Sequence, residues 1–218
     1  MYRWDIINKL IQENGFTRYL EIGVRHPDDC FNRIICENKD GVDPGIEIGE
    51  NLVRYQYTSD DFFEKLENGE LDKVPNFKWD VVFIDGLHLS FQVLRDVRNS
   101  LNHLNPNGYI VLHDCNPPEI FYAREDYAIN GELQPWNGTV WKAIYNLRTD
   151  PGLDVCTVDT DWGCGIIRFT DYSYSRRPKI ELDNEFYEYN TMIKNRRRNL
   201  GLIRVSELDD WLSYKVRV

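Results

Sequence analysis

Four apolar residues in a row, Val81-Val82-Phe83-Ile84, stand between Asp80 and Asp85 and are followed at once by Gly86. A strand with one wet face alternates apolar and polar side chains; an unbroken, β-branched run belongs in a parallel sheet covered on both faces. The same grammar recurs on either side. Tyr19-Leu20-Glu21-Ile22-Gly23-Val24 is a short buried strand that stops at glycine, Gly41-Val42-Asp43-Pro44 is one that stops at an acid and a proline, and Tyr109-Ile110-Val111-Leu112 ends at His113-Asp114. Helical patterns fill the intervals. Ile6, Ile7, Leu10 and Ile11 share one face and Asn14-Gly15 stops them; Pro27-Asp28-Asp29 opens a helix over Cys30 to Glu37. A third strand is expected near Arg54 to Tyr57. Ser59 or Asp60 then caps a helix through Phe62, Phe63 and Leu66. Phe91, Val93, Leu94, Val97, Leu101 and Leu104 mark a helix from Ser90 that ends at Asn105-Pro106-Asn107-Gly108. Strand and helix alternating over the first 115 residues predict an α/β, Rossmann-like, doubly wound and mostly parallel sheet.

The second half reads differently. Residues 116–138 scatter proline, glycine and aromatics, the composition of a long insertion or lid. Val140 to Leu147 is helical, while Leu153 to Val158 and Gly165 to Phe169 form an antiparallel hairpin around Asp159-Thr160-Asp161-Trp162-Gly163. Asn184 to Leu200 and Ser206 to Tyr214 read as added C-terminal helices, candidates for a lid or a homo-oligomer face. The expected division is a catalytic domain over 1–175 and a helical extension over 176–218.

Composition removes several functions. With 26 basic and 36 acidic residues the formal charge is −10, so a nucleic-acid or anionic-membrane partner is not expected, because phosphate surfaces reward clustered Lys and Arg. The basic run Lys194 to Arg198 reads as a solvated helix face. No stretch is long and apolar enough to span a bilayer, and Asp5 stands where a signal peptide would be apolar, so a cytoplasmic protein is expected. Cys30, Cys36, Cys115, Cys156 and Cys164 show no CxxC pair and no zinc spacing; reduced structural thiols are expected.

Ligands of doubly wound sheets bind beyond the carboxyl ends of the strands. Glu21, Gly23, Asp43, Asp85, Gly86, His113 and Asp114 all fall at such ends. Gly23 would let backbone approach a ligand closely, and Asp43, twenty residues on, could accept hydrogen bonds from a ribose diol. A pyrophosphate turn needs more glycine than Gly23-Val24-Arg25-His26-Pro27 supplies, which disfavours a nicotinamide or flavin dinucleotide.

With Tyr19 to Gly23, Val42-Asp43, Phe83-Ile84-Asp85-Gly86-Leu87-His88 and Asn107-Gly108 to His113-Asp114, the sequence over residues 17–170 resembles the class I S-adenosylmethionine-dependent methyltransferases. Within them it is similar to the branch that contains macrolide and sugar O-methyltransferases, as is the turn Asp161-Trp162-Gly163-Cys164-Gly165. The resemblance implies a seven-stranded sheet whose last two strands are an antiparallel hairpin, with S-adenosylmethionine as cofactor. Glu21 and Gly23 would then line its methionine end, Asp43 its ribose, Ser59 and Asp60 its adenine, with Asp85 also at the cofactor. In metal-dependent relatives the positions of Asp85 and Asp114 bind magnesium, and His88, three residues past the first acid, is the base. This sequence departs at His113 and Cys115, which flank the second acid where oxygen ligands would stand, and hard divalent cations prefer oxygen.

The expected chemistry is transfer of a methyl group to a hydroxyl of a sugar, glycan precursor or other small molecule. His88 would take the proton and Asp85 would orient it, since an imidazole titrates near ~6.5. Asp85 could instead cap the helix that follows, His88 could cap or bond a loop carbonyl, and His113 could be a packing residue. Trp136, Trp141, Tyr122 and Tyr127 are either an acceptor wall or the insertion's own core. The alternative function is a nucleoside-binding scaffold that has lost its chemistry.

Overall fold

The computed structural model describes residues 1–47, 53–170, 180–181 and 183–213. In chain order the elements are α1 (Arg3–Asn14), β1 (Arg18–Ile22), β2 (Asn38–Val42), α2 (Ser59–Glu67), β3 (Trp79–Ile84), α3 (Ser90–Asn102), β4 (Leu104–Leu112), β5 (Ala128–Ile129), β6 (Glu132–Leu133), α4 (Val140–Leu147), β7 (Leu153–Val158), β8 (Cys164–Phe169), α5 (Tyr189–Lys194), α6 (Arg196–Leu200), β9 (Leu202–Ile203) and α7 (Leu208–Ser213). Seven of these strands make a mostly parallel sheet, and β5 with β6 is a separate two-stranded ribbon. The architecture is the Rossmann-like α/β fold that the strand and helix alternation predicts. No helix among the described residues is long and apolar enough to cross a membrane.

The chain packs as two compact units, one of residues 2–87 with 92–111 and the other of residue 1 with 88–91 and 112–218. In the first unit the strand order is β2-β1-β3-β4. β1 lies parallel to both β2 and β3, with Ile22 opposite Val42 on one side and Ile84 on the other. All of β3 is buried, as the unbroken apolar run requires. Ile6, Ile7 and Leu10 of α1 are wholly buried, each worth roughly 1.5–3 kcal/mol of burial, and Gly15 closes that helix in the left-handed region at φ 65°.

Several local expectations are corrected here. Residues 30–37 are not a helix: Pro27–Asp29 and Phe31–Arg33 are short 3₁₀ turns. Side chains satisfy the backbone groups that a helix would have paired internally. Lys39 Nζ donates to the Phe31 and Ile34 carbonyls at 2.8 and 3.1 Å, and Asn8 holds Arg33 O and Ile35 N. The strand expected at 54–57 shrinks to one parallel bridge, Val42 to Tyr55. The cap of α2 is Thr58, whose Oγ1 accepts from Asp61 N at 3.1 Å, and not Ser59 or Asp60. β4 begins at Leu104, so 105–108 lie in the strand; a Cβ on Gly108 would come within 2.6 Å of the Asp80 carbonyl.

The second unit has the order β8-β7-β9. β7 and β8 are the expected antiparallel hairpin, in register from Leu153 opposite Phe169 to Val158 opposite Cys164. Leu202 and Ile203, between the two expected C-terminal helices, form β9 parallel to β7. The helix expected from Asn184 starts only at Tyr189, because the Asn184 side chain bonds both Glu188 N and Glu188 O. It breaks at Asn195, where φ −129° and ψ 42° leave the helical region. The last helix ends at Ser213, and Tyr214 lies outside the described residues.

Candidate active site

The expected cofactor residues all lie in the first unit. β1 places Tyr19 and Glu21 on one face, two residues apart, and the Tyr19 hydroxyl donates to Glu21 Oε2 at 2.5 Å. Glu21 is buried, and burial pushes its carboxyl up to about 8, with the Asp85 carboxylate adding to the rise and the Tyr19 hydrogen bond opposing it. Arg3 Nε lies 3.9 Å from Asp85 Oδ2.

Gly23 follows β1 at φ +84°. A Cβ there would strike the backbone of Gly86 and come within 2.5 Å of Asp85 O. The glycine is therefore required by the closeness of the β1 and β3 tips, not only by the approach of a ligand. Asp43, at the tip of β2, accepts from Arg25 N and Gly45 N, each at 2.7 Å, so one carboxylate ties down the turns after β1 and β2. Ser59 and Asp60 sit in the first turn of α2, where Gln92 Nε2 bridges Ser59 Oγ, Asp60 Oδ1 and Asp96 Oδ1 at 3.0–3.2 Å and Arg95 pairs with Asp60. Burial pushes the Asp96 carboxyl up to about 6.

In the second unit Asp114 is the centre of a polar cluster. It is buried and left-handed at φ 60°, an uncommon state for a residue other than glycine and one that concentrates at functional sites. Its Oδ2 faces His113 Nδ1 at 3.1 Å and His88 Nδ1 at 3.3 Å. Its Oδ1 accepts from Asn137 Nδ2 at 2.7 Å. The His88 ring stacks on Trp136, centroids 5.0 Å apart and 16° from parallel. Thr139 fixes the backbone below it, its N donating to His88 O at 2.8 Å while its Oγ1 accepts from Ser90 N at 2.8 Å. His113 Nε2 is 3.7 Å from Asp161 Oδ1.

Glu21, Gly23 and Asp85 thus come together with Asp43 close behind them, and His88 meets Asp114 and His113. Asn137 is a site residue that sequence reasoning missed; its one local signal was the Asn-Gly turn with Thr139 after it. Of the aromatics, Trp136 serves His88, Tyr127 tilts against Trp136 at 5.8 Å, Tyr122 meets Trp162 at 5.5 Å, and Trp141 is buried in the interior.

Residues 20–115 match a family described as a methyltransferase domain. Over those residues, fewer than half of the chain, the sequence is similar to that family. Solved structures agree in fold. An O-methyltransferase from Bacillus cereus in complex with S-adenosylhomocysteine is 16% identical, with 78% of this chain and 80% of that one covered at a TM-score of 0.51. The S-adenosylhomocysteine-bound methyltransferase PaMTH1 from Podospora anserina is 15% identical over 78% of each chain, TM-score 0.50. TomG, an O-methyltransferase from Streptomyces achromogenes in complex with S-adenosylmethionine, is 13% identical over 78% and 80%, TM-score 0.50. A search of curated proteins finds no match.

Proposed function

We propose that this methyltransferase methylates a hydroxyl of a small molecule, a sugar or glycan precursor, with S-adenosylmethionine as donor, Glu21, Gly23, Asp43, Ser59, Asp60 and Asp85 as its cofactor residues, and His88 as base. The observation that carries the reading is His88 with Nδ1 3.3 Å from Asp114 Oδ2 and its ring flat on Trp136. That arrangement supports a general base.

The donor fits the first unit: carboxylates at the tips of β1, β2 and β3 complement a sulfonium, an ammonium and a ribose diol. When bound, S-adenosylmethionine supplies the activated methyl carbon and departs as the neutral thioether. The protein has three tasks. Its walls hold the acceptor oxygen in line behind that carbon, worth as much as ~7–11 kcal/mol of barrier. His88 Nε2 would take the proton that the acceptor hydroxyl gives up on methylation. Asp114, oriented by Asn137, lies beside the imidazole and would stabilise the imidazolium.

Magnesium fits the same residues poorly. Imidazole and amide nitrogens already face Asp114, and Arg3 already stands beside Asp85, whereas a six-coordinate hard cation wants oxygen ligands and water. No step is assigned to a metal.

The test measures binding and turnover separately. Asp43→Ala should abolish S-adenosylhomocysteine binding by calorimetry. His88→Ala should bind it like the wild type but transfer no labelled methyl group to a panel of hydroxylated acceptors, and EDTA should leave wild-type transfer unchanged. Unaltered affinity in Asp43→Ala would overturn the cofactor assignment, and full turnover in His88→Ala the base.

A further inference from the structure

A cavity of about 460 Å³ in the second unit is lined by Asn116, Asp159, Thr160, Asp161, Trp162 and Arg196, with Gly163 and Leu202 beside them. That size falls within the roughly 300–1,000 Å³ of small-molecule sites, and none of these residues belongs to the proposed cofactor or base set.

The turn between β7 and β8 builds it in an unusual way. Asp161, Trp162 and Gly163 are all left-handed, at φ 46°, 64° and 91°. Gly163 must be, since a Cβ would meet Asn116, whose N donates to Trp162 O at 2.8 Å. Bulky side chains are genuine outliers in this region, and glycine would occupy it without strain. Yet the Trp162 indole stands there 45% exposed, with the tilted Tyr122 ring at 5.5 Å on one side.

Around the indole the polar groups are carboxylates and an amide. Asp159 Oδ1 accepts from Asn116 Nδ2 at 2.9 Å, and Asn116 Oδ1 accepts from Arg196 Nε at 2.7 Å. Arg196 also donates to the carbonyls of Pro117 and Pro118, so its guanidinium serves as a wall that fixes the loop. Three of its five N–H donors are so engaged and two carboxylates stand close by, so the rim disfavours phosphate. A flat exposed ring with hydrogen-bond acceptors beside it suits a neutral pyranose, whose C–H face stacks on the indole while its hydroxyls donate to the carboxylates. One lining residue, Asp161, also approaches His113, which faces Asp114, which faces His88.

We infer that this cavity is a saccharide subsite: Trp162 is the stacking platform and Asp159 and Asp161 the hydroxyl acceptors for an uncharged pyranose of the acceptor. The inference rests on the proposed hydroxyl methylation and names the acceptor's recognition element.

The variant Trp162→Gly tests it, because it removes the ring while relieving the backbone, so the fold should be at least as stable by thermal melt. Binding of a panel of methyl hexopyranosides and 6-deoxyhexopyranosides, with glucose 1-phosphate as comparator, is read by saturation-transfer NMR on the full chain. At least one neutral pyranoside should bind the wild type. Trp162→Gly should lose at least about tenfold in that affinity, Trp162→Phe should retain most of it, and S-adenosylhomocysteine affinity should stay within about twofold in both. Equal pyranoside affinity in Trp162→Gly, no neutral pyranoside bound by wild type, or binding confined to the phosphate would overturn the inference. The two readings fail separately: wild type that binds S-adenosylhomocysteine but no pyranoside sinks the subsite alone, while pyranoside binding without S-adenosylhomocysteine binding sinks the methyl donor alone.

Discussion

Glu21 shows how a single buried carboxyl couples pH to both stability and ligand binding. Its folded value of about 8 lies above the ordinary 4.5, so between those limits the folded protein binds a proton that the unfolded chain has released. Stability therefore falls as pH rises through that window, and Asp96, raised to about 6, adds to the lower part of it. Glu21→Gln should flatten the dependence of Tm on pH between 5 and 8 and raise Tm at pH 8, as thermal melts across that range would show. The same carboxyl should ionise when a sulfonium and an ammonium arrive, so S-adenosylmethionine binding near pH 7 should release protons, measured by calorimetry in buffers of different ionisation enthalpy; uptake would contradict it. Asn137 acts at one remove. Removing its 2.7 Å bond to Asp114 forfeits an interaction worth about 1.5–3 kcal/mol. Asn137→Ala should lower kcat by roughly tenfold or more and leave S-adenosylhomocysteine affinity intact. The sequence could not have announced Asn137, since a lone amide in an irregular loop has no periodicity to betray it, whereas Glu21, Asp43 and Asp85 stand out as acids at the ends of apolar runs.

At the scale of elements, what was readable is what burial alone decides. β3 has no polar position between its flanking acids, and it is buried throughout; α1 carries its apolar side chains at helical spacing, and they are the buried ones. Short elements obey their neighbours instead. The 30–37 segment had a helix opening in Pro27-Asp28-Asp29, but Lys39 and Asn8 satisfied its carbonyls in another geometry, and Leu202–Ile203 became a strand where β7 offered an edge. Gly23 sits between these cases: the residue was legible as special, but the contact that demands it was not. Gly23→Ala places a methyl group against Gly86 and Asp85 and forces an L-residue to φ +84°. The conformation alone costs roughly 1–2 kcal/mol, so the variant should melt several degrees lower and bind S-adenosylhomocysteine more weakly. Thr58→Ala, at the true cap of α2, should cost about 1 kcal/mol in urea unfolding, and Ser59→Ala much less.

For the molecule as a whole, the sequence suggested a catalytic domain over 1–175 with residues 176–218 as an appendage, and the contacts within the second unit bear on how separable that segment is. Arg168, buried in β8, pairs with Asp154 at 2.9 Å and donates to the carbonyls of Trp211 and Leu212, its guanidinium lying 4.3 Å over the Trp211 ring. β9 supplies the edge partner of β7. Arg196 and Tyr189 hold the carbonyls of Pro117 and Pro118 in the insertion. Truncation after residue 175 would remove two carbonyl acceptors and the aromatic cover of Arg168, each such charged hydrogen bond being worth about 1.5–3 kcal/mol, and would bare the edge of β7 as well. Against a total stability of roughly 5–15 kcal/mol, that loss leaves little. The truncated chain should lack a cooperative thermal transition and should not bind S-adenosylhomocysteine, even though every residue proposed for the cofactor lies before residue 87. A fragment of 1–175 that melts cooperatively near the wild-type Tm and binds as tightly would show that the C-terminal segment is the separable addition its sequence resembles.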